Sequence, residues 1–389
     1  MKRPHTGTFE VTIAGGERVQ AFIPAPLPPS PKVAFEGGLQ RLMERATLAV
    51  GRLDGVSTLL PDRSLFLYSY VRREAVLSSQ IEGTQSSLSD LLLFELHAAP
   101  GVPLDDVTEV SNYVAALEHG LERIRGGFPL STRLIREIHG VLLSRGRGSG
   151  KQAGEFRTSQ NWIGGSRPGN AAFVPPPQTA VADAMSDLER FLHAADDGLP
   201  LLARAGIAHV QFETIHPFLD GNGRVGRLLI TLLLCSAGIL REPLLYLSLF
   251  LKQHRGTYYD LLNVVRREGD WEAWLTFFFE GIELTATDAV ATADALTALL
   301  REDRAKVEQQ GRRASSAVRV HDAFKARPIS SLSAITEATG LSFPATAAAV
   351  DLLISLNVVR ELTGQKRNRI FVYDRYLKTL SQDRDATLY

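Results

Sequence analysis

The segment from His216 to Arg227, reading His-Pro-Phe-Leu-Asp-Gly-Asn-Gly-Arg-Val-Gly-Arg, constrains this chain more than any other stretch. It packs an imidazole, a carboxylate, three glycines and two arginines into twelve residues, and the apolar run Leu228 to Leu240 follows directly. Such a run reads as a buried helix, so the glycine-rich turn sits at a helix N-terminus. Free backbone N–H groups and the positive end of the helix dipole make that place an anion site, and phosphate is the anion it suits best. A base and a metal-capable carboxylate alongside point to phosphate chemistry rather than phosphate storage.

Each residue type has a reason to be there. A neutral imidazole at His216 can take a proton near pH 7, because its ordinary pKa is about 6.5. Ionised Asp220 only accepts, so it can reach a Mg²⁺ ion bridging phosphates. Gly221, Asn222 and Gly223 let the backbone approach an anion, and the Asn222 amide adds a donor. Arg224 and Arg227 are three apart at the helix start and share a face. Their two guanidinium forks can hold two further phosphates or stabilise a leaving pyrophosphate. Phe218 reads as the core plug that anchors the turn.

The rest of the chain sets limits. Its 389 residues allow two or three domains, and 44% apolar with 22% charged residues fits a globular protein. The formal net charge of zero gives no global field for nucleic acid or membrane. Cys235 stands alone in an apolar stretch, as a buried small hydrophobe would, and one cysteine fits a reducing, cytoplasmic setting. The run Leu228–Leu240 is short for a bilayer, and the first residues lack the apolar core of a signal peptide.

Residues 1–35, rich in Pro and Gly, read as an extended arm. Apolar residues then recur at helical spacing through Leu39–Leu53, Leu65–Leu77, Leu88–Leu96, Val110–Ile124 and Leu134–Leu143, with breaks that include Pro61 and Pro100. The stretch Asn161–Pro175 carries two short β-prone runs around a Gly/Pro/Asn turn, a hairpin signal. Helices are expected at 179–195, 200–214, 224–240, 243–266 and 270–308. From 311 the grammar changes to helix, helix, turn, helix, then a hairpin with a basic tip at Lys366, Arg367, Asn368 and Arg369. Ser342 is positioned to cap the third of these helices, Pro344–Leu356. That is the winged helix-turn-helix pattern, and the stretch is modestly basic. The segment Gly146–Lys151 looks superficially like a P-loop. It fails on glycine spacing, has Gln152 where Ser or Thr is needed, and follows a helix rather than a strand.

The twelve-residue string resembles the signature of the Fic family (filamentation induced by cyclic AMP), His-x-Phe-x-Asp/Glu-Gly-Asn-Gly-Arg-x-x-Arg, at every fixed position. The resemblance implies a mainly α protein: an all-helical Fic core with a β-hairpin flap, an N-terminal helical region and a C-terminal winged helix-turn-helix domain. The expected divisions are 1–110, 111–285 for the catalytic core, 286–310 as a helical linker, and 311–389. It implies transfer of AMP from ATP, with Mg²⁺, to a protein hydroxyl, and self-modification as a side activity. His216 then looks like the general base and Asp220 like the Mg²⁺ ligand. Gly221, Asn222 and Gly223 look like the anion hole, continued by Arg224, Val225, Gly226 and Arg227, with Arg227 nearest the γ-phosphate. The intact Gly223-Arg224 pair argues against the related Doc branch, which phosphorylates.

The same resemblance gives weight to Ser78-Ser79-Gln80-Ile81-Glu82-Gly83, a match to the family's inhibitory pattern Ser/Thr-x-x-x-Glu-Gly/Asn. By that analogy Glu82 pairs with Arg227 in the γ-phosphate's place, Ser78 helps hold the helix, and Gly83 ends it. It also favours the pair Tyr258-Tyr259 for stacking on adenine, with Tyr259 preferred, and leaves His209 and His254 as structural. The flap, 161–175, would clamp a target protein. A homodimer is compatible with this reading, and no membrane partner is expected. The reverse reaction, removal of AMP with Glu82 orienting water, uses the same residues. A second class of function is a DNA-binding regulator acting through 311–380. Against it, Pro344–Leu356 is poor in base-reading side chains.

Overall fold

The computed structural model describes residues 2–59, 63–96, 102–194, 198–364 and 367–381; Pro61, Pro100 and Lys366 lie outside them. The first 35 residues correct the expected extended arm. β1 (Gly7–Ala14) and β2 (Glu17–Pro24) form an antiparallel hairpin, in register from Gly7 opposite Pro24 to Ala14 opposite Glu17, around a Gly15-Gly16 turn. The alternation of Phe9, Val11 and Ile13 before two glycines was the available signal. Val19, Ala21 and Phe22 of β2 are buried, and the Phe22 N–H donates to the Val174 carbonyl at 2.9 Å, tying the hairpin to the flap.

Eleven helices follow among the described residues: α1 (Gly37–Leu59), α2 (Arg63–Ile81), α3 (Leu88–Glu95), α4 (Leu104–Arg125), α5 (Thr132–Leu142), α6 (Val181–Leu192), α7 (Leu201–Ile215), α8 (Asn222–Ser236), α9 (Ser248–Gln253), α10 (Arg255–Glu268) and α11 (Trp271–Glu308). The periodic runs of the N-terminal third become α1 to α5. Ser131 caps α5, and Ser87 with Asp90 forms a capping box on α3. The expected helix 243–266 is instead two. Residues after Pro243 stay non-helical until Ser248, and the chain bends at His254 between α9 and α10. Helix α8 begins two residues earlier than expected, at Asn222, and ends at Ser236. Cys235, near that end, is half-buried rather than buried. Every residue of α7 from Leu202 to Ile215 is buried, and α8 is buried from Arg224 to Leu234. A helix covered all round lies at the centre of a domain. These two helices therefore form the core hairpin, with α4, α5, α6 and α10 packed around it.

The expected flap hairpin is reduced to a single bridge, Ile163 opposite Phe173. Its tip is a 3-10 turn at Pro168–Asn170, where proline has no N–H to donate to a ladder. Beyond α11 the order is α12 (Ala314–Ala326), β3 (Ile329–Ser331), α13 (Leu332–Thr339), α14 (Phe343–Ser355), β4 (Arg360–Glu361), β5 (Ile370–Val372) and α15 (Asp374–Ser381). The three strands pair antiparallel in the order β3-β5-β4. β3 and α15 carried no distinct sequence signal, being short and flanked by helices. Ser342 takes the cap position of α14 but makes no side-chain cap bond. This unit packs on α2 and α11: Tyr376 Oη meets Ser69 Oγ at 3.0 Å, and Tyr373 Oη donates to Asp303 Oδ2 at 2.7 Å. No single helix among the described residues is long and apolar enough to cross a membrane.

Candidate active site

The turn between α7 and α8 is built by its own atoms and two neighbours. α7 ends because His216 adopts a left-handed conformation, φ 50° and ψ 60°, with its N–H still bonded to the Phe212 carbonyl at 2.9 Å. A non-glycine residue there is strained, and such strain gathers at functional sites. The Asn222 side chain then closes the loop. Its Oδ1 accepts from the Phe218 N–H at 2.9 Å and its Nδ2 donates to the Phe218 carbonyl at 2.8 Å. Gly221, at φ 77°, makes the turn into α8. Phe218 is fully buried, as its plug role required.

His139, which the sequence did not single out, holds this turn from α5. Its ring stacks on Phe218 at 3.7 Å between centroids and 6° between planes. The Gly154 N–H donates to its Nδ1 at 2.8 Å, so the proton sits on Nε2, which donates to the Asp220 carbonyl at 3.0 Å. Burial pushes its pKa down to about 4, which keeps the ring neutral and this arrangement fixed. Arg157, also missed, is buried. Its Nε donates to the His216 carbonyl at 3.0 Å and its Nη2 to the Pro176 carbonyl at 2.5 Å, joining the flap to the turn.

The cleft above the turn is about 310 Å³ and is lined by Glu82, Arg147, His216, Leu219, Asp220, Gly221, Asn222, Gly223 and Arg224. Burial first, then the Arg266 and Arg157 charges, push the His216 pKa down to about 3. The ring is therefore a neutral proton acceptor. Its Nδ1 is buried without a well-formed hydrogen bond, though the Glu213 carbonyl pulls on it weakly. Asp220 spends one oxygen on the Gly221 N–H at 2.6 Å and faces Arg224 at 3.4 Å. Among the described residues no group of three or more His, Cys, Asp and Glu side chains could hold a metal. One rim carboxylate still suits Mg²⁺, whose sites near phosphates use one or two carboxylates and take the remaining oxygens from phosphate and water.

Both arginines at the start of α8 are buried, and neither faces solvent. Arg227 reaches α2. Its Nε donates to Ser78 Oγ at 2.8 Å, and its Nη2 donates to the Ser78 carbonyl at 3.0 Å and to Glu82 Oε1 at 2.7 Å. Burial works against the Glu82 carboxylate, but the Arg227 guanidinium outweighs it and holds the pKa below the usual range. Gly83, at φ 99°, follows the end of α2. Glu82 lies directly over the anion turn, since a Cβ placed on Gly223 would overlap its Oε1. Arg224 is held at Nη1 by Glu109 Oε2 at 3.1 Å. The chain thus brings Ser78, Glu82, His216, Asp220, the 221–223 backbone and Arg227 to one place.

Val225 points into the core. Gly226 packs against the Glu213 carboxyl and offers its carbonyl to His209 Nδ1 at 2.9 Å. His209 Nε2 accepts from Tyr258 Oη at 2.9 Å, so His209 and Tyr258 are core residues. Tyr259 is half-buried, rests against the Tyr258 ring, and feels the Glu82 and Arg227 charges. Of the two tyrosines it is the less buried. Glu213 carried no sequence signal. It is buried with Oε1 unpartnered, and burial raises its pKa to about 7 although Arg227 opposes this.

The close contact at Gly223 gives one expectation. Gly223→Ala will place a methyl where the Glu82 carboxylate lies, over the turn expected to hold a phosphate. ATP affinity is expected to fall at least tenfold, by loss of a charged hydrogen bond, even when Glu82 is also replaced. Titration of ATP into Gly223→Ala and into the double variant checks this, and undiminished affinity in the double variant would refute it.

Residues 40–122 match the family model for the Fic/DOC family N-terminal region, and residues 129–234 match that for the Fic/DOC family. The proteins named protein adenylyltransferase Fic from Culex quinquefasciatus and Aedes aegypti are each 32% identical over 209 residues, and that from Drosophila melanogaster is 30% identical over 208. The alignment takes in 53% of this chain and 39% of each relative, so the chain spans well under half their length. A Fic family protein from Desulfovibrio desulfuricans G20 superposes with a TM-score of 0.58 at 19% identity, over 88% of this chain and 97% of that one. A Fic domain containing signaling protein from Bacteroides thetaiotaomicron VPI-5482 superposes at 0.52 and 18% identity, over 67% and 97%. At these identities the likeness concerns fold alone.

Proposed function

Because the chain belongs to the Fic/DOC family, through residues 40–122 and 129–234, we propose that it is a protein adenylyltransferase, moving AMP from ATP to a Tyr, Ser or Thr hydroxyl of a target protein. One observation carries this reading: an imidazole held neutral stands beside a helix-start anion turn whose second arginine already grips a carboxylate. In the proposed reaction the hydroxyl oxygen bonds to the α-phosphorus, the bond to the bridging oxygen breaks, and pyrophosphate leaves. The hydroxyl proton passes to His216. The 221–223 backbone and Arg224 would stabilise the charge on the phosphates. Asp220 would hold Mg²⁺ together with phosphate oxygens, and the ion would screen their charge. Tyr259 would stack on adenine, and the flap would align the target segment by strand addition.

Glu82 acts in this reading as a built-in brake. One Nη2 cannot fully serve a carboxylate and a γ-phosphate at once. Self-modification accompanies transfer. The anionic Glu82 inside the cleft also supports the reverse reaction, in which it would orient water to remove AMP. The 311–380 region would serve docking, dimerisation or DNA contact as a winged helix. The 1–110 region would carry the brake, 111–285 the catalysis, and 286–310 the connection. The test is a lysate whose own kinases have been inactivated by heat, incubated with the Glu82→Gly chain and ATP labelled at either the α- or the γ-phosphate. Label is expected to reach protein from the α-position alone. Transfer from the γ-position would make the protein a kinase and overturn the reading.

A further inference from the structure

The loop Arg145–Lys151 is not a P-loop, yet it delivers a cation to the same cleft. Asn112 on α4 donates from Nδ2 to the Arg145 carbonyl at 2.9 Å, anchoring the loop. At Gly148, φ 87°, the backbone presses so close that a Cβ would lie 2.9 Å from Asp220 Oδ2. Between these two anchors Arg147 lines the cleft wall with His216, Asp220 and the anion turn. Its Nε lies 2.8 Å from Glu109 Oε1 and its Nη2 3.3 Å from Glu109 Oε2. Glu109 Oε2 also accepts from Arg224 Nη1 at 3.1 Å. One carboxylate therefore holds two guanidinium groups.

The burial of that triad's members decides its use. The Glu109 side chain is 1% exposed and cannot leave, and the buried Arg224 already balances it. Counted with Asp220, 3.4 Å from Arg224, the cluster is two guanidinium groups against two carboxylates, and Arg147 is its one exposed cation in the cleft. Its side chain is 58% exposed, so water can solvate the guanidinium as it leaves Glu109, and Arg224 stays behind to hold that carboxylate. We propose that Arg147 is a third arginine of the phosphate site, swinging from Glu109 onto the polyphosphate chain of the bound nucleotide, while Glu109 keeps Arg224 aimed at the turn. This rests on the adenylyltransferase reading and adds to it a ligand-binding residue outside the twelve-residue signature. Arg147 makes charge-assisted hydrogen bonds to phosphate oxygens and takes no part in proton transfer.

The test uses the full chain with Glu82→Gly as parent, so that the brake does not mask binding. ATP and adenosine are titrated into the parent and into Arg147→Ala and Arg147→Lys on that background. Arg147→Ala is expected to weaken ATP about tenfold, the size of one charged hydrogen bond, and to leave adenosine within about twofold of the parent. Arg147→Lys, which keeps the charge and loses the fork, is expected to fall between. Unchanged ATP affinity, or equal weakening of ATP and adenosine, overturns the inference while the parent's own ATP binding leaves the adenylyltransferase reading intact. A parent that binds no ATP overturns that reading as well.

Discussion

Glu82→Gly is expected to raise AMP transfer by about 10- to 100-fold. Glu82 Oε1 accepts from Arg227 Nη2 at 2.7 Å and lies over Gly223, so it competes with phosphate for both the guanidinium and the space. A charge-assisted hydrogen bond contributes about 1.5–3 kcal/mol, and each 1.4 kcal/mol is tenfold in population, which sets that range. The arginine stays aimed after the change, because its bonds to Ser78 Oγ and to the Ser78 carbonyl remain. Glycine also suits the position, one residue beyond α2, where chains commonly leave a helix. Incorporation of α-labelled AMP into lysate protein and into the chain itself measures the effect. Equal rates for the wild type and Glu82→Gly would remove the brake from this account.

Adding His216→Ala to Glu82→Gly is expected to cut transfer at least a hundredfold, with ATP affinity little changed. General bases contribute about 10²- to 10⁴-fold, and the imidazole touches the proton that moves rather than the nucleotide. The pH profile gives a second check. With its pKa pushed down to about 3 by burial and by Arg266 and Arg157, His216 is neutral in the free protein well below the ordinary imidazole range. The acid limb of kcat/KM, which reports the free protein, should therefore lie below pH 5. In the nucleotide complex the phosphate charge favours the protonated ring, so the limb of kcat should move upward. Full activity of the double variant would assign the base elsewhere.

Local features were the readable ones. The helical spacing that becomes α1 to α5 and the plug role of Phe218 rest on neighbours within a few residues, and the structure follows them. The N-terminal hairpin has a local signal too, the alternation before Gly15-Gly16, but the prolines between 24 and 31 give the segment the composition of an extended arm. The two-residue β4 and three-residue β3 are too short to leave a period-2 trace, and they exist because β5 lies beside them. His139 and Glu213 carry no motif, and Arg157 lies in the Gly154–Asn161 lead-in to the flap with nothing local to mark its role. Their importance comes from what they touch across the fold.

What the sequence determined alone was the chemistry of the turn: base, carboxylate, backbone donors and two arginines lie within twelve residues, so their meeting needed only a loop and a helix start. What the tertiary structure decided was the state of those arginines. Glu82 lies 145 residues from Arg227 and Glu109 lies 115 from Arg224, and only the packing of α2 and α4 against α8 brings each pair together. The physical reason is range: a turn's geometry is set by torsions a few bonds apart, whereas an ion pair depends on distances that only the assembled core fixes.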